Sequence, residues 1–206
     1  MFKLIIGDRN YSSWSLRPWL AAKQAGLPFE EISVPLRQAT TKAEILKYSP
    51  TGKVPCLIDG DTVVWESLSI CEYLAEKAPT LWPSDVRARA EARSIASEMH
   101  SGFAALRQGM PLDVRASLPF STPSVEVEAD VARIVSMWQD CRQRHGQKGP
   151  FLFGGFTNAD AMYAPVVFRF LTYHVDLPEA SRQWVETMAA LPAMQEWRQA
   201  SIAEAR

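Results

Sequence analysis

Lys53-Val54-Pro55-Cys56-Leu57-Ile58-Asp59-Gly60-Asp61-Thr62-Val63-Val64-Trp65-Glu66-Ser67 is the stretch on which the fold turns. Cys56–Ile58 and Thr62–Trp65 are short apolar runs with β-branched members, separated by Asp59-Gly60-Asp61. An Asp-Gly pair between such runs predicts a hairpin, because glycine takes a positive φ without a Cβ clash. Pro55 has no N–H to give a ladder, so it opens its strand. Beyond the second strand, Leu68, Ile70, Cys71, Tyr73 and Leu74 recur at helical spacing, with Glu72 and Glu76 off that face. Ser67 stands where an N-cap belongs. The stretch therefore predicts a backbone edge beside a helix N-terminus, an arrangement suited to a small peptide that carries a carboxylate.

Working outward, Lys3–Ile6 reads as a strand, and Trp14–Ala25 as a helix closed by Gly26 with Pro28 just beyond. Phe29–Val34 alternates apolar and polar as a second strand. Thr41–Tyr48 is a short helix ended by Ser49-Pro50-Thr51-Gly52, and Leu68–Ala78 is the helix after the hairpin. The first two strands flank a helix, so they should pair in parallel through a right-handed crossover. This βαβαββα order is that of a thioredoxin-like domain. Ala78-Pro79-Thr80-Leu81-Trp82-Pro83-Ser84 reads as a linker. After it the pattern predicts helices only: Arg87–Gln108 as one long helix, then Val125–His145, Asp160–Val175, Glu179–Leu191 and Pro192–Ala203. Six lysines precede Pro83 and only Lys148 follows it, which supports a boundary there. The expected architecture is an α/β thioredoxin-like N-terminal domain over residues 1–80, followed by an all-α C-terminal domain over residues 86–206. Thr157-Asn158-Ala159-Asp160 is a capping box, so Asp160 is assigned a folding role despite its acidic side chain.

The chain has 206 residues, enough for one large or two small cored domains, and its net charge is −1 with no run of one sign. Nothing in that charge pattern points to a nucleic-acid partner. No apolar run approaches the roughly 20 residues needed to span a bilayer, and Met1–Gly7 is too short for a secretory leader. Cys56, Cys71 and Cys141 are an odd, scattered set, and His100, His145 and His174 lack ligand spacing, so neither a disulfide framework nor a metal is expected. A reducing, cytoplasmic address fits best.

The Val54-Pro55 step and the Glu66-Ser67 pair closely resemble those of the glutathione transferases, and the two-domain plan extends the resemblance over the whole chain. The resemblance implies glutathione as co-substrate. It implies a cis peptide at Val54–Pro55, Val54 pairing with the cysteinyl backbone, Glu66 and Ser67 holding the γ-glutamyl end, and Lys53 near the glycyl carboxylate. It also implies a homodimer, and a helical domain that forms the acceptor side.

Conjugation needs a thiolate, and a free thiol near pKa 8.5 supplies too little at neutral pH. Lowering that value by about two units requires ~2.7 kcal/mol, within reach of a hydroxyl hydrogen bond assisted by a helix N-terminus. Such a group belongs after the first strand, where the chain reads Asn10-Tyr11-Ser12-Ser13-Trp14-Ser15-Leu16-Arg17. Ser-Ser-x-Ser-x-Arg resembles the zeta-class serine motif, which selects Ser12. The theta and delta spacing selects Ser13, and Tyr11 is a third candidate. Trp14 replaces the Cys usual in the zeta motif and Glu66 its usual Gln, which puts that class's isomerisation in question. The stretch from Met99–Phe103 to Met110, and Arg169–Tyr173, are candidate walls for a small electrophile. The alternatives are a glutathione-dependent isomerase, a peroxidase or disulfide reductase, and a non-catalytic binding or regulatory protein.

Overall fold

A computed structural model describes residues 1–119 and 121–204. Strand β1 (Phe2–Gly7) is followed by helix α1 (Ser13–Gln24), strand β2 (Phe29–Val34), helix α2 (Thr41–Leu46), strands β3 (Cys56–Asp59) and β4 (Thr62–Trp65), and helix α3 (Ser67–Lys77). The sheet runs β2-β1-β3-β4, with β1 parallel to β2 and both β3 contacts antiparallel. β1 is apolar on both faces because both are covered. Leu4 and Ile6 pack with Leu16, Leu20, Ile70 and Leu74, whereas Ile5 points the other way to Val34, Ile45 and Cys56. Each such fully buried aliphatic side chain contributes about 1.5–3 kcal/mol relative to exposure.

The turn of the hairpin is Gly60-Asp61, since Asp59 pairs with Thr62 and only Gly60 has a positive φ, at 59°. Glycine in the first central position matches the strand twist. Helix α1 ends as expected at Gly26, where φ is 65° and Leu27 N–H reaches Ala22 O at 3.0 Å. Ser67 is one place later than expected: Glu66 occupies the N-cap position and Ser67 is the first helical residue.

The second half is helical: α4 (Val86–Ser101), α5 (Ala104–Gly109), α6 (Val125–His145), α7 (Asn158–Thr172), α8 (Glu179–Ala190) and α9 (Pro192–Ala203). The single helix expected over 87–108 is broken. Phe103 takes the left-handed conformation at φ 59°, and a Cβ on Gly102 would sit 2.8 Å from Glu98 O. The break lets Arg107 of α5 donate back to the carbonyls of Met99 and Gly102 at the end of α4. Helix α7 is buried on all sides except at Leu171, packing on α1, α4 and α8. Asp160 accepts from Thr157 N–H at 2.9 Å, Leu152 N–H at 3.0 Å and Trp184 Nε1–H at 3.0 Å. The last helix returns to the first: Trp197 meets Trp19 at 5.1 Å and donates to Arg9 O at 2.9 Å. The fold is thus a thioredoxin-like α/β unit followed by an all-helical one.

Candidate functional site

The loop from β1 to α1 is folded tightly by Asp8, whose carbonyl accepts from Tyr11 N–H at 3.1 Å and Ser12 N–H at 2.8 Å. Ser12 and Ser13 then open α1, both buried. Ser12 occupies the N-cap position, yet its hydroxyl does not cap. It lies 2.7 Å from the Ser15 hydroxyl, whose oxygen accepts Gly7 N–H at 3.1 Å. Ser13 Oγ makes no hydrogen bond among the described residues.

The two serines are flanked by aromatic rings that each gather two guanidiniums. Trp14 lies 4.3 Å from the Arg17 guanidinium and 4.6 Å from that of Arg107. Tyr11 lies 3.9 Å from Arg37 and 5.8 Å from Arg115. Arg17 is fully buried, and none of its three nitrogens finds a hydrogen-bond partner among the described residues. Burial, and then the charges of Arg107 and Arg169, push it down to about 9, so it stays cationic at neutral pH.

Across the site, β4 turns into α3 at Glu66, a non-glycine residue with φ 77° and ψ 130°. The next side chain, Ser67 Oγ, is buried without a partner among the described residues. The Glu66 carboxylate meets His100 Nε2 at 2.7 Å, and His100 stands edge-on to Trp14 at 5.5 Å. Trp14, His100 and Glu66 thus form a continuous bridge from the serine motif to the start of α3. Burial holds the His100 imidazolium form down, against the opposing pull of Glu66. The Val54–Pro55 bond is cis, and neither Val54 main-chain group hydrogen-bonds within the described residues. Lys53 is exposed.

Sequence reasoning named Ser12, Ser13, Lys53, Val54, Glu66 and Ser67 but gave His100 and Arg107 only within a pocket wall and omitted Arg37 and Arg115. No spacing signalled them, because they arrive from distant parts of the chain. The expected walls Met99, Phe103, Met110, Arg169 and Tyr173 pack inward. Arg169 donates to Met110 O at 2.8 Å, and burial pushes it down to about 10. A cavity of ≈ 720 Å³ contains no residue of the serine motif; it lies under the linker between Trp82, Arg89, Arg93, Phe153 and Phe156. A smaller one of ≈ 280 Å³ opens at Tyr11.

All three cysteines are free and buried; burial pushes the Cys71 and Cys141 thiols up to about 12 and raises that of Cys56. Among the described residues no group of three or more His, Cys, Asp or Glu side chains could hold a metal ion, and no helix is long and apolar enough to cross a membrane.

Fold and site together define a two-unit protein in which a thioredoxin-like sheet presents two serines at one helix start and an acidic-serine pair at another. Comparison with known proteins narrows that class. Residues 11–77 match the N-terminal domain of glutathione S-transferase, and residues 85–200 its C-terminal domain. A probable maleylacetoacetate isomerase of Caenorhabditis elegans is 28% identical over 191 residues, 90% of this chain and 87% of that protein. A zeta-class glutathione S-transferase of Euphorbia esula is 32% identical over 141 residues, 67% of this chain but only 56% of the relative. A theta-class enzyme of Xanthomonas axonopodis pv. citri, solved with glutathione bound, superposes with a TM-score of 0.67 at 26% identity over 95% of each chain. The chain belongs to the glutathione S-transferase family of transferases.

Proposed function

We propose that the protein binds glutathione along Val54, with the thiol at Ser12, and drives that thiol as thiolate onto a small electrophile. The observation that carries this reading is the hydroxyl pair at the start of α1, where the Ser12 hydroxyl and Gly7 N–H both donate to Ser15 Oγ and so hold Ser12 in place. In the structure the Ser12 hydroxyl donates to Ser15 Oγ at 2.7 Å. Ser15 Oγ thus accepts from both Ser12 and Gly7 N–H, and on glutathione binding the Ser12 hydroxyl turns its proton from Ser15 to the sulfur. The thiol proton departs to water, Ser12 keeps its own, and the sulfur bonds to the electrophilic carbon as the leaving group takes its electron pair. The α1 N-terminus and the Arg17 charge favour the thiolate by the same electrostatics.

The γ-glutamyl carboxylate meets Ser67 Oγ and the α3 amides, Glu66 takes the adjacent ammonium, and Val54 N–H and C=O pair with the cysteinyl backbone. Lys53 is the partner for the glycyl carboxylate. On this reading residues 1–80 form the glutathione-binding domain and 86–206 the acceptor side. Support comes from the glutathione bound in the Xanthomonas neighbour and from the orphaned Ser67 oxygen. A cytoplasmic location fits the three free cysteines. A glutathione-dependent isomerase is the second reading, favoured by the C. elegans relative's name; Trp14 and Glu66, in place of the usual zeta Cys and Gln, weigh against it.

Thiolate absorbance of bound glutathione, followed against pH, tests the assignment. Ser12→Ala should retain binding while moving the apparent thiol pKa back toward ~8.5, and Ser13→Ala should move it less. A larger shift in Ser13→Ala transfers the role to Ser13. No shift in either variant overturns hydroxyl activation and favours a non-catalytic binding protein.

A further inference from the structure

We propose that the acceptor electrophile carries an anionic group, a carboxylate or equivalent oxyanion, clamped by Arg37 and Arg115 beside Tyr11; this rests on the glutathione site proposed above. The cavity at Tyr11 is ≈ 280 Å³, bounded by the β1–α1 loop, the segment after β2, and Arg115 and Glu204 from the helical unit. Tyr11 immediately precedes Ser12 in the β1–α1 loop, although Ser12 itself does not line this cavity.

The charges of this cavity are unequally engaged. Asp8 Oδ2 already accepts Leu36 N–H at 2.9 Å. Glu204 already takes Arg9, through Nη1 at 2.7 Å and the backbone N–H at 2.8 Å. The two cavity arginines make no ion pair among the described residues. Among the described residues the Arg37 guanidinium lies on the Tyr11 ring with no hydrogen bond, and the Arg115 guanidinium reaches only the Tyr11 hydroxyl and Ser201 O, both at 3.4 Å, while the Arg115 backbone N–H donates to Asn10 Oδ1 at 3.0 Å. Among the described residues two guanidiniums without an ion-pair partner therefore converge on one ring. Arg37 is also held in the left-handed region, at φ 60°, a conformation that a side chain other than glycine keeps only where its surroundings impose it. Guanidinium forks match a carboxylate in bidentate fashion. The cavity is at the small end of ligand pockets, so it suits the anionic end of a compact molecule.

Glutathione's own glycyl carboxylate is the competing source of that charge, and equilibrium titration with two conjugates separates the sources. S-(4-carboxybenzyl)glutathione and its neutral amide, S-(4-carbamoylbenzyl)glutathione, differ only in the acceptor's charge. The wild-type protein should bind the acid about tenfold more tightly than the amide, the worth of one charge-assisted contact. Arg37→Gln and Arg115→Gln, their folding checked by circular dichroism, should each erase most of that ratio, and raised salt should erode it. Equal affinity for the two conjugates in the wild type overturns the proposal while leaving glutathione binding intact. Folded arginine variants that lose glutathione itself assign the pair to the glycyl carboxylate and also overturn it. A wild-type protein that binds neither glutathione nor either conjugate overturns the underlying function and this inference with it.

Discussion

Glu66 holds a backbone conformation that non-glycine residues adopt at a cost of about 1–3 kcal/mol, and it does so between a strand end and a helix start. The carboxylate so placed has a reachable partner in His100. Glu66→Gly should therefore leave thermal stability unchanged or raised while glutathione affinity falls. Glu66→Ala with Ser67→Ala should abolish retention on immobilised glutathione; unchanged retention by a folded double variant would remove both residues from the site. His100 adds a pH dependence. Its imidazolium is disfavoured by burial first, with Arg17 and Arg107 adding to this and Glu66 opposing it. A histidine whose folded pKa lies below its ordinary 6.5 favours the native state above that value and withdraws the contribution as pH falls through the folded pKa. Below that point the imidazolium also competes with the ligand ammonium for Glu66. Glutathione affinity should drop about fivefold on acidification, ~1 kcal/mol, and His100→Gln should flatten that limb. The candidate site was legible in the sequence where it consists of short local patterns, Ser12-Ser13 before α1 and Glu66-Ser67 before α3. His100, Arg107, Arg37 and Arg115 were not, since only the tertiary fold sets them on Trp14 and Tyr11.

Elements show the same division. The hairpin, α6 and α9 were legible because each is bounded by chemistry local to its ends: Gly60, Gly146 and Pro192. The division of α4 from α5 was hidden inside an unbroken apolar period, because the left-handed turn at Phe103 is imposed by packing and by the return of Arg107 to the end of α4. Gly102→Ala drives a Cβ into Glu98 O at 2.8 Å, and should cost about 1–3 kcal/mol in urea unfolding. At the start of α7, Asp160→Ala strands three buried N–H donors, from Leu152, Thr157 and Trp184. The loss should be ~3 kcal/mol or more, seen as a lower urea midpoint. Burial raises the Asp160 pKa above 3.8 despite those bonds. A carboxyl raised on folding binds its proton more tightly in the native state, so its contribution is present at low pH and withdrawn as pH rises through the folded value. Acid unfolding should therefore not originate at Asp160.

At the scale of the whole molecule, β4 is an edge strand whose Val63 and Trp65 remain 38% and 45% exposed. A homodimer that covers this edge would remove a liability that sheet proteins otherwise blunt with charge. Sedimentation equilibrium should return twice the 23.1 kDa chain mass, and Trp65→Ser should shift the balance toward the monomer; a wild-type mass that stays at the single-chain value across micromolar concentrations removes the dimer. The interior has a different consequence. Every cysteine lies inside the fold, with Cys71 and Cys141 held as neutral thiols far above physiological pH. A transferase acting on the proposed electrophile would be most exposed to it at its own thiols, and this one presents none of its three at the surface. Native protein incubated with iodoacetamide should gain no adduct mass, whereas the unfolded chain should gain three. On the proposed reaction the attacking sulfur arrives with glutathione and leaves in the conjugate, so turnover consumes no thiol of the chain.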